Sequence, residues 1–182
     1  MGKSGKLNYS EFSIPAKAGI QKLLDSGLRR NDREDEETDY MFIGEYSLTV
    51  DEKGRLSIPV KFRVSLSRGA VVTRGLDSAL FLYTTKEWEN LAVKLANLPI
   101  SRANTRAFSR LMLAGAMDVE MDKAGRIILP DYLREFAVIR KKVVVAGLYN
   151  RLEIWDEDKW KKYKTTTEKT SGDIAEALEQ IV

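Results

Sequence analysis

The sequence predicts an α+β fold, mainly β, built from two tandem copies of one unit of roughly 45 residues. Three observations carry that prediction. YSLTVDEKGRLSIPVKFR, from Tyr46 to Arg63, lies over MDVEMDKAGRIILPDYLR, from Met117 to Arg134, at an offset of 71. That register matches Asp51 with Asp122, Gly54 with Gly125, Arg55 with Arg126, Pro59 with Pro130 and Arg63 with Arg134. The likeness resumes at an offset of 72, where Val71 to Trp88 matches Val143 to Trp160, with Gly75 on Gly147 and Trp88 on Trp160. Within each copy, Tyr46, Leu48 and Val50, or Met117, Val119 and Met121, recur with a period of two, the signature of a half-buried strand.

Each unit then reads in the same order. An Asp-x-x-Gly-Arg segment turns the chain, and Gly54 and Gly125 supply the positive φ that a tight hairpin demands. A second short strand follows, LSI or IIL, and then a proline suited to a first helical turn, where its missing N–H costs nothing. VKFRVSL and DYLREFA are short helices. VVTRG with ALFLY, and VVVAG with LEIW, are a further pair of strands in each copy. KEWENLAVKLANL and DEDKWKKY are closing helices. Between the copies, Ile100 to Ala116 is helical and places Arg102, Arg106 and Arg110 four residues apart on one face, read as solvated. A 45-residue unit is marginal alone, so the two copies are expected to pack on each other with pseudo-two-fold symmetry. The domain boundaries that follow are 1–40 for an N-terminal extension, 41–92 for the first unit, 93–116 for a helical linker, 117–164 for the second unit and 165–182 for a spacer and short C-terminal helix.

Composition narrows the chemistry. The 182 residues include no Cys and no His, which removes disulfides, thiolate and imidazole metal sites, cysteine nucleophiles and histidine triads. Paired catalytic carboxylates and a phosphate-cradling glycine loop are missing from the pattern as well, so a non-enzyme with no cofactor and no metal is expected. Without an apolar run of about 20 residues, a membrane partner is not expected and a soluble cytosolic protein is. The charge is uneven. Residues 41–112 carry 11 basic and 6 acidic side chains, a net of +5, against +3 for the whole chain. Local basic excess suits a polyanion partner.

A tandem of Asp-x-x-x-Arg hairpins, each followed by strand, proline and helix, resembles the MraZ family, bacterial transcriptional regulators with two SpoVT-AbrB-type units. The resemblance runs from Met41 to roughly Tyr163, through DEKGR, GLDSALFLYTTKEW, DKAGR and GLYNRLEIWDEDKW. It implies tandem swapped-hairpin β-barrel units of the AbrB/MazE-like kind, assembled into a multi-subunit ring. It also implies binding to repeated operator sites in double-stranded DNA upstream of the division and cell-wall operon, mainly as a repressor, with association to the nucleoid. The family's binding role falls by position on Asp51, Lys53, Gly54 and Arg55.

The residue chemistry is compatible with that role. An arginine after a tight turn projects its fork toward guanine O6 and N7 or toward phosphate oxygens. Lys53 adds a point charge, and Asp51 orients Arg55. The first copy also carries Lys61, Arg63, Arg68 and Arg74, so the first hairpin is expected to contact DNA more strongly. Lys123, Arg126 and Asp122 extend the site to the second copy, where Ala124 replaces Lys53 and Ala146 replaces Arg74. The alternatives are a ring-forming interaction scaffold and an antitoxin-like partner protein with incidental DNA affinity. Residues 1–40 end in the acidic run DREDEETD and are read as a disordered or non-native extension. TTTEKTSG is read as a spacer, and Ile174, Leu178 and Ile181 as one face of a last helix that docks on a neighbouring subunit or frays.

Overall fold

In a computed structural model of the chain, residues 41–179 are described. The extension 1–40 and Ile181 lie outside them. Among the described residues the strands are β1 (Phe42–Thr49), β2 (Arg55–Ser57), β3 (Ala70–Arg74), β4 (Leu80–Thr84), β5 (Met117–Val119), β6 (Arg126–Ile128), β7 (Lys142–Tyr149) and β8 (Leu152–Asp156). The helices are α1 (Val60–Arg63), α2 (Thr85–Ala96), α3 (Ala103–Leu113), α4 (Asp131–Ala137), α5 (Glu157–Lys169) and α6 (Ser171–Glu179). Among the described residues no helix is long and apolar enough to cross a membrane.

The units exchange strands. Six strands form one antiparallel sheet in the order β1-β7-β8-β4-β3-β5, and β2 pairs with β6 in a separate two-stranded ribbon. Only β3–β4 and β7–β8 join strands of the same unit. The first strand of each unit lies instead on the other's hairpin, β1 on β7 with Phe42 opposite Tyr149, and β5 on β3 with Val119 opposite Ala70. The swapped-hairpin expectation is therefore met. The barrel is not, because the sheet stays open. β1 and β5 are its two edges, and the ribbon joins the turn end of β1 through a single bridge between Val50 and Leu56.

Burial explains the strand sequences. On β4, Leu80 and Leu82 enter a main core with Leu56, Ile58, Phe62, Ile127, Leu129, Leu133, Val143, Val145, Leu152 and Ile154. Phe81 and Tyr83 point to the other side, into a second cluster with Leu95 of α2, Met112 of α3 and Trp155. Both faces of the sheet's middle are covered, so LFLY and VVVA are continuous apolar runs rather than alternating ones.

The helices start and stop for local reasons. Pro59 and Pro130 sit at the N-cap positions, one residue ahead of the expected first turn, with extended ψ of 134° and 145°. Thr84 caps α2 by accepting from the amide of Glu87, and Asp156 caps α5 by accepting from those of Asp158 and Lys159. The expected spacer from Thr165 is helical instead. The hydroxyls of Thr165, Thr166 and Thr167 each donate to the carbonyl four residues earlier, so their polar groups are satisfied within α5, which runs on to Lys169.

Candidate nucleic-acid interface

Each Asp-x-x-Gly-Arg segment closes on itself. In the first, the Gly54 amide donates to the Asp51 carbonyl at 2.9 Å, and the Asp51 amide donates to the Arg55 carbonyl at 3.0 Å. Gly54 takes φ 73°, a conformation that a residue with a Cβ adopts only at a cost. Asp51 Oδ1 accepts from the amides of Lys53 and Arg55, both at 2.9 Å, and Oδ2 accepts from Arg55 Nε at 2.6 Å. One carboxylate thus holds the turn and aims the guanidinium. The second hairpin repeats this. Gly125 has φ 78°, Asp122 Oδ1 accepts from Ala124 and Arg126 amides at 2.9 Å, and Oδ2 accepts from Arg126 Nε at 2.9 Å.

Hydrogen bonding holds both carboxyls below the ordinary aspartate range. For Asp51 the Arg55 amide is the larger cause, and for Asp122 the Arg126 side chain is. Both carboxylates are therefore ionised at neutral pH, and the pairs they form are solvent-exposed and charge-assisted.

The fold brings the two hairpins together. Across the β2–β6 ribbon, Arg55 stands opposite Ile128 and Ser57 opposite Arg126. Directly opposed residues share a face, so both arginines lie on one side, while Leu56 and Ile127 are buried on the other. Asp51 is near enough to Arg126 to help raise its pKa, after the larger effect of Asp122. The hairpins also lock reciprocally, since the Gly125 carbonyl accepts from the Ile58 amide at 2.9 Å and the Gly54 carbonyl from the Leu129 amide at 2.8 Å.

Three residues of the expected site lie in other settings. The Lys61 ammonium donates to the Ile43 carbonyl and rests 5.0 Å from the Tyr46 ring centre and 4.7 Å from that of Phe62. Arg74 lies 5.6 Å from the ring centre of Tyr132 and 5.7 Å from that of Phe136 on α4. Arg63 donates from Nε to the Ile58 carbonyl at 2.8 Å, and its guanidinium covers Gly125 of the other unit. Arg106 of the linker helix turns back onto the carbonyls of Ile100 and Ser101, so the three linker arginines do not act as one face.

Charge is therefore dealt differently in space than along the chain. Asp51 and Glu52 oppose Lys53 and Arg55 in the first hairpin, whereas in the second Asp122 opposes Lys123 and Arg126, with Asp51 reaching Arg126 from across the ribbon. The basic excess counted for the first copy is spread over the β1 edge, the α4 surface and the second hairpin. Sequence reasoning missed this because the strand exchange decides which hairpin Arg63 meets.

The family described as "MraZ protein, putative antitoxin-like" matches residues 41–111 and again 112–180. The chain is similar to the transcriptional regulator MraZ of Ligilactobacillus salivarius, 48% identical over 138 residues, which is 76% of this chain and 96% of that protein. It is similar also to the transcriptional regulator MraZ of Halothermothrix orenii, 46% identical over 141 residues, 78% of this chain and 99% of that protein. The same is true of the transcriptional regulator MraZ of Caldanaerobacter subterraneus subsp. tengcongensis, 45% identical over 139 residues, 76% of this chain and 97% of that protein.

Proposed function

Because the chain belongs to the MraZ family, we propose that it is a transcriptional regulator that binds double-stranded DNA through the outer face of the β2–β6 ribbon. The observation that carries this reading is the meeting of two Asp-oriented arginines, Arg55 and Arg126, on one exposed two-stranded element. A β-ribbon is narrow enough to enter a major groove, where an arginine fork reads guanine edges. Lys53 and Lys123, at the turns, contact phosphate. Asp51 and Asp122 orient the arginines, and Gly54 and Gly125 permit the turns.

In this reading the protein is a cytoplasmic, nucleoid-associated repressor of a division and cell-wall operon. It assembles as a homo-oligomeric ring on repeated upstream sites. Each ribbon then needs only modest affinity, because linked copies raise the effective concentration at the next repeat. Binding, not catalysis, is its activity.

Titrating the full chain against duplex DNA from upstream of its own gene, and against a shuffled duplex, tests the proposal at several salt concentrations. Sequence-dependent binding that falls in Arg55→Ala and in Arg126→Ala is the expected result. Equal affinity for both duplexes, collapsing with salt, would reduce the interaction to phosphate attraction and overturn the regulator reading.

A further inference from the structure

Arg63 and Arg134 occupy matching positions in the two units and lie in matching places, each over the other unit's hairpin glycine. A Cβ at Gly125 would stand 2.3 Å from Arg63 Cζ, and one at Gly54 would stand 3.1 Å from Arg134 Nε. Each arginine donates from Nε to the carbonyl just before its own proline, Arg63 to Ile58 and Arg134 to Leu129. Those same two residues, Ile58 and Leu129, donate from their amides across the unit boundary to the carbonyls of Gly125 and Gly54. Each arginine therefore braces the other unit's hairpin through a single residue, bonding its carbonyl while its amide reaches across.

The pair differs in its outer nitrogens. Asp131 accepts from Arg134 Nη2 and neutralises it. The matching position in the first unit is Val60, and no carboxylate among the described residues pairs with Arg63. The cluster at the first hairpin, Asp51, Glu52, Lys53, Arg55, Arg134 and Asp131, is thus electrically balanced. Of the matching residues at the second hairpin, Lys123, Arg126 and Arg63 are positive and Asp122 negative, and with Asp51 acting on Arg126 from across the ribbon the balance stays positive.

We propose that Arg63 is a phosphate-contacting residue of the second hairpin, delivered across the unit boundary by the strand exchange, while Arg134 only positions the first. This rests on the DNA-binding reading above. Arg63 then works with Arg126, which lies 63 residues away along the chain, and not with Arg55, which is only eight away.

The test compares Arg63→Met, which keeps a side chain over Gly125 but removes its charge, with Arg63→Lys, which keeps the charge, and with Arg134→Met. Thermal unfolding first identifies variants that fold like the parent. Arg63→Met is expected to weaken binding of the upstream duplex about tenfold and to lower the slope of log affinity against log salt by about 0.9, as one lost phosphate contact requires. Arg63→Lys should retain the slope, and Arg134→Met should leave it unchanged. Combined with Arg126→Ala, Arg63→Met should fall short of additivity, and combined with Arg55→Ala it should add.

Unchanged affinity and slope in a folded Arg63→Met would overturn the proposal. An equal loss of slope in Arg63→Met and Arg134→Met would do so too, and so would additivity with Arg126→Ala. If Arg63→Met fails to fold, Arg63→Lys decides, because a folded Lys variant that loses the slope also sinks the idea. Failure of the unsubstituted chain to bind any duplex is distinguishable from all of these and removes the DNA reading itself.

Discussion

Lys61 and Tyr132 stand at matching positions of the two units and serve the two edges of the sheet with different chemistry. The Lys61 ammonium donates to the Ile43 carbonyl on β1, and the Tyr132 hydroxyl donates at 3.0 Å to the Gly115 carbonyl, just ahead of β5. Edge strands leave main-chain groups unpaired, and a side chain laid across them blunts the edge. Tyr132→Phe should therefore lower unfolding stability by about 1 kcal/mol, since it orphans a half-buried carbonyl while keeping the ring beneath Arg74. Urea denaturation monitored by tryptophan fluorescence measures it, and an unchanged midpoint would show that the bond contributes nothing.

Gly147 on β7 lies directly against the backbone of β1. It faces Gly44 across the ladder, and an added Cβ would stand 2.6 Å from both the Ile43 nitrogen and the Phe42 carbonyl carbon. Those are backbone atoms of a paired strand and cannot swing aside. Gly147→Ala is expected to cost about 2–3 kcal/mol by overpacking, with faster amide exchange along β1. Full retention of stability would mean that the strands slide apart freely.

Glu153 is 6% exposed, and its charge is answered locally. Arg151 donates to Oε1 from Nε and Nη2 at 3.1 and 2.8 Å, and Trp155 donates to Oε2 at 3.1 Å. Removing the cation leaves a buried carboxylate with one donor side chain, so Arg151→Ala should destabilise by roughly 3 kcal/mol. Adding Glu153→Gln should recover part of that loss. Should the double variant prove no better than the single, packing of Arg151 on Phe81 would be the larger contribution.

The hairpins should open in acid. Asp51 and Asp122 bind their protons more weakly in the folded chain than ordinary aspartates do. Their contribution is present above the unfolded value of about 3.9 and disappears as pH falls through the lower folded values. Amide resonances of Lys53, Arg55, Ala124 and Arg126 should therefore hold steady from neutral pH to about 4 and shift together below it. Movement of those amides between pH 5 and 7 would contradict the hydrogen bonding described.

Much of the molecule was legible in the sequence where the signal is local. Gly54 and Gly125 announce their turns because only a positive φ closes a four-residue Asp-to-Gly loop, and Thr84 and Asp156 announce helix starts. Partner choice was not legible. Val71 to Arg74 and Val143 to Ala146 are both strand segments that open on two valines, so nothing in Tyr46 to Thr49 says which of the two it will pair with. The threonines from Thr165 to Thr167 read as a spacer because their helical bonds to preceding carbonyls leave no periodic trace. For the site, the Asp–Arg pairs were visible as motifs. Their convergence on one ribbon, and the crossing of Arg63 to Gly125, depend on pairings between distant segments.

The pairing of Phe42 with Tyr149 has a consequence for how the chain is made. Tyr149 is 107 residues downstream of Phe42, so at about 5–20 residues per second a ribosome needs roughly 5–20 s to deliver it. Throughout that interval the nascent β1 carries Phe42, Tyr46 and Leu48 without the ladder that later shelters them. The third strand of the first copy likewise waits for Met117. Synthesis of this protein is therefore a race between its own second half and any other chain that offers an unoccupied strand.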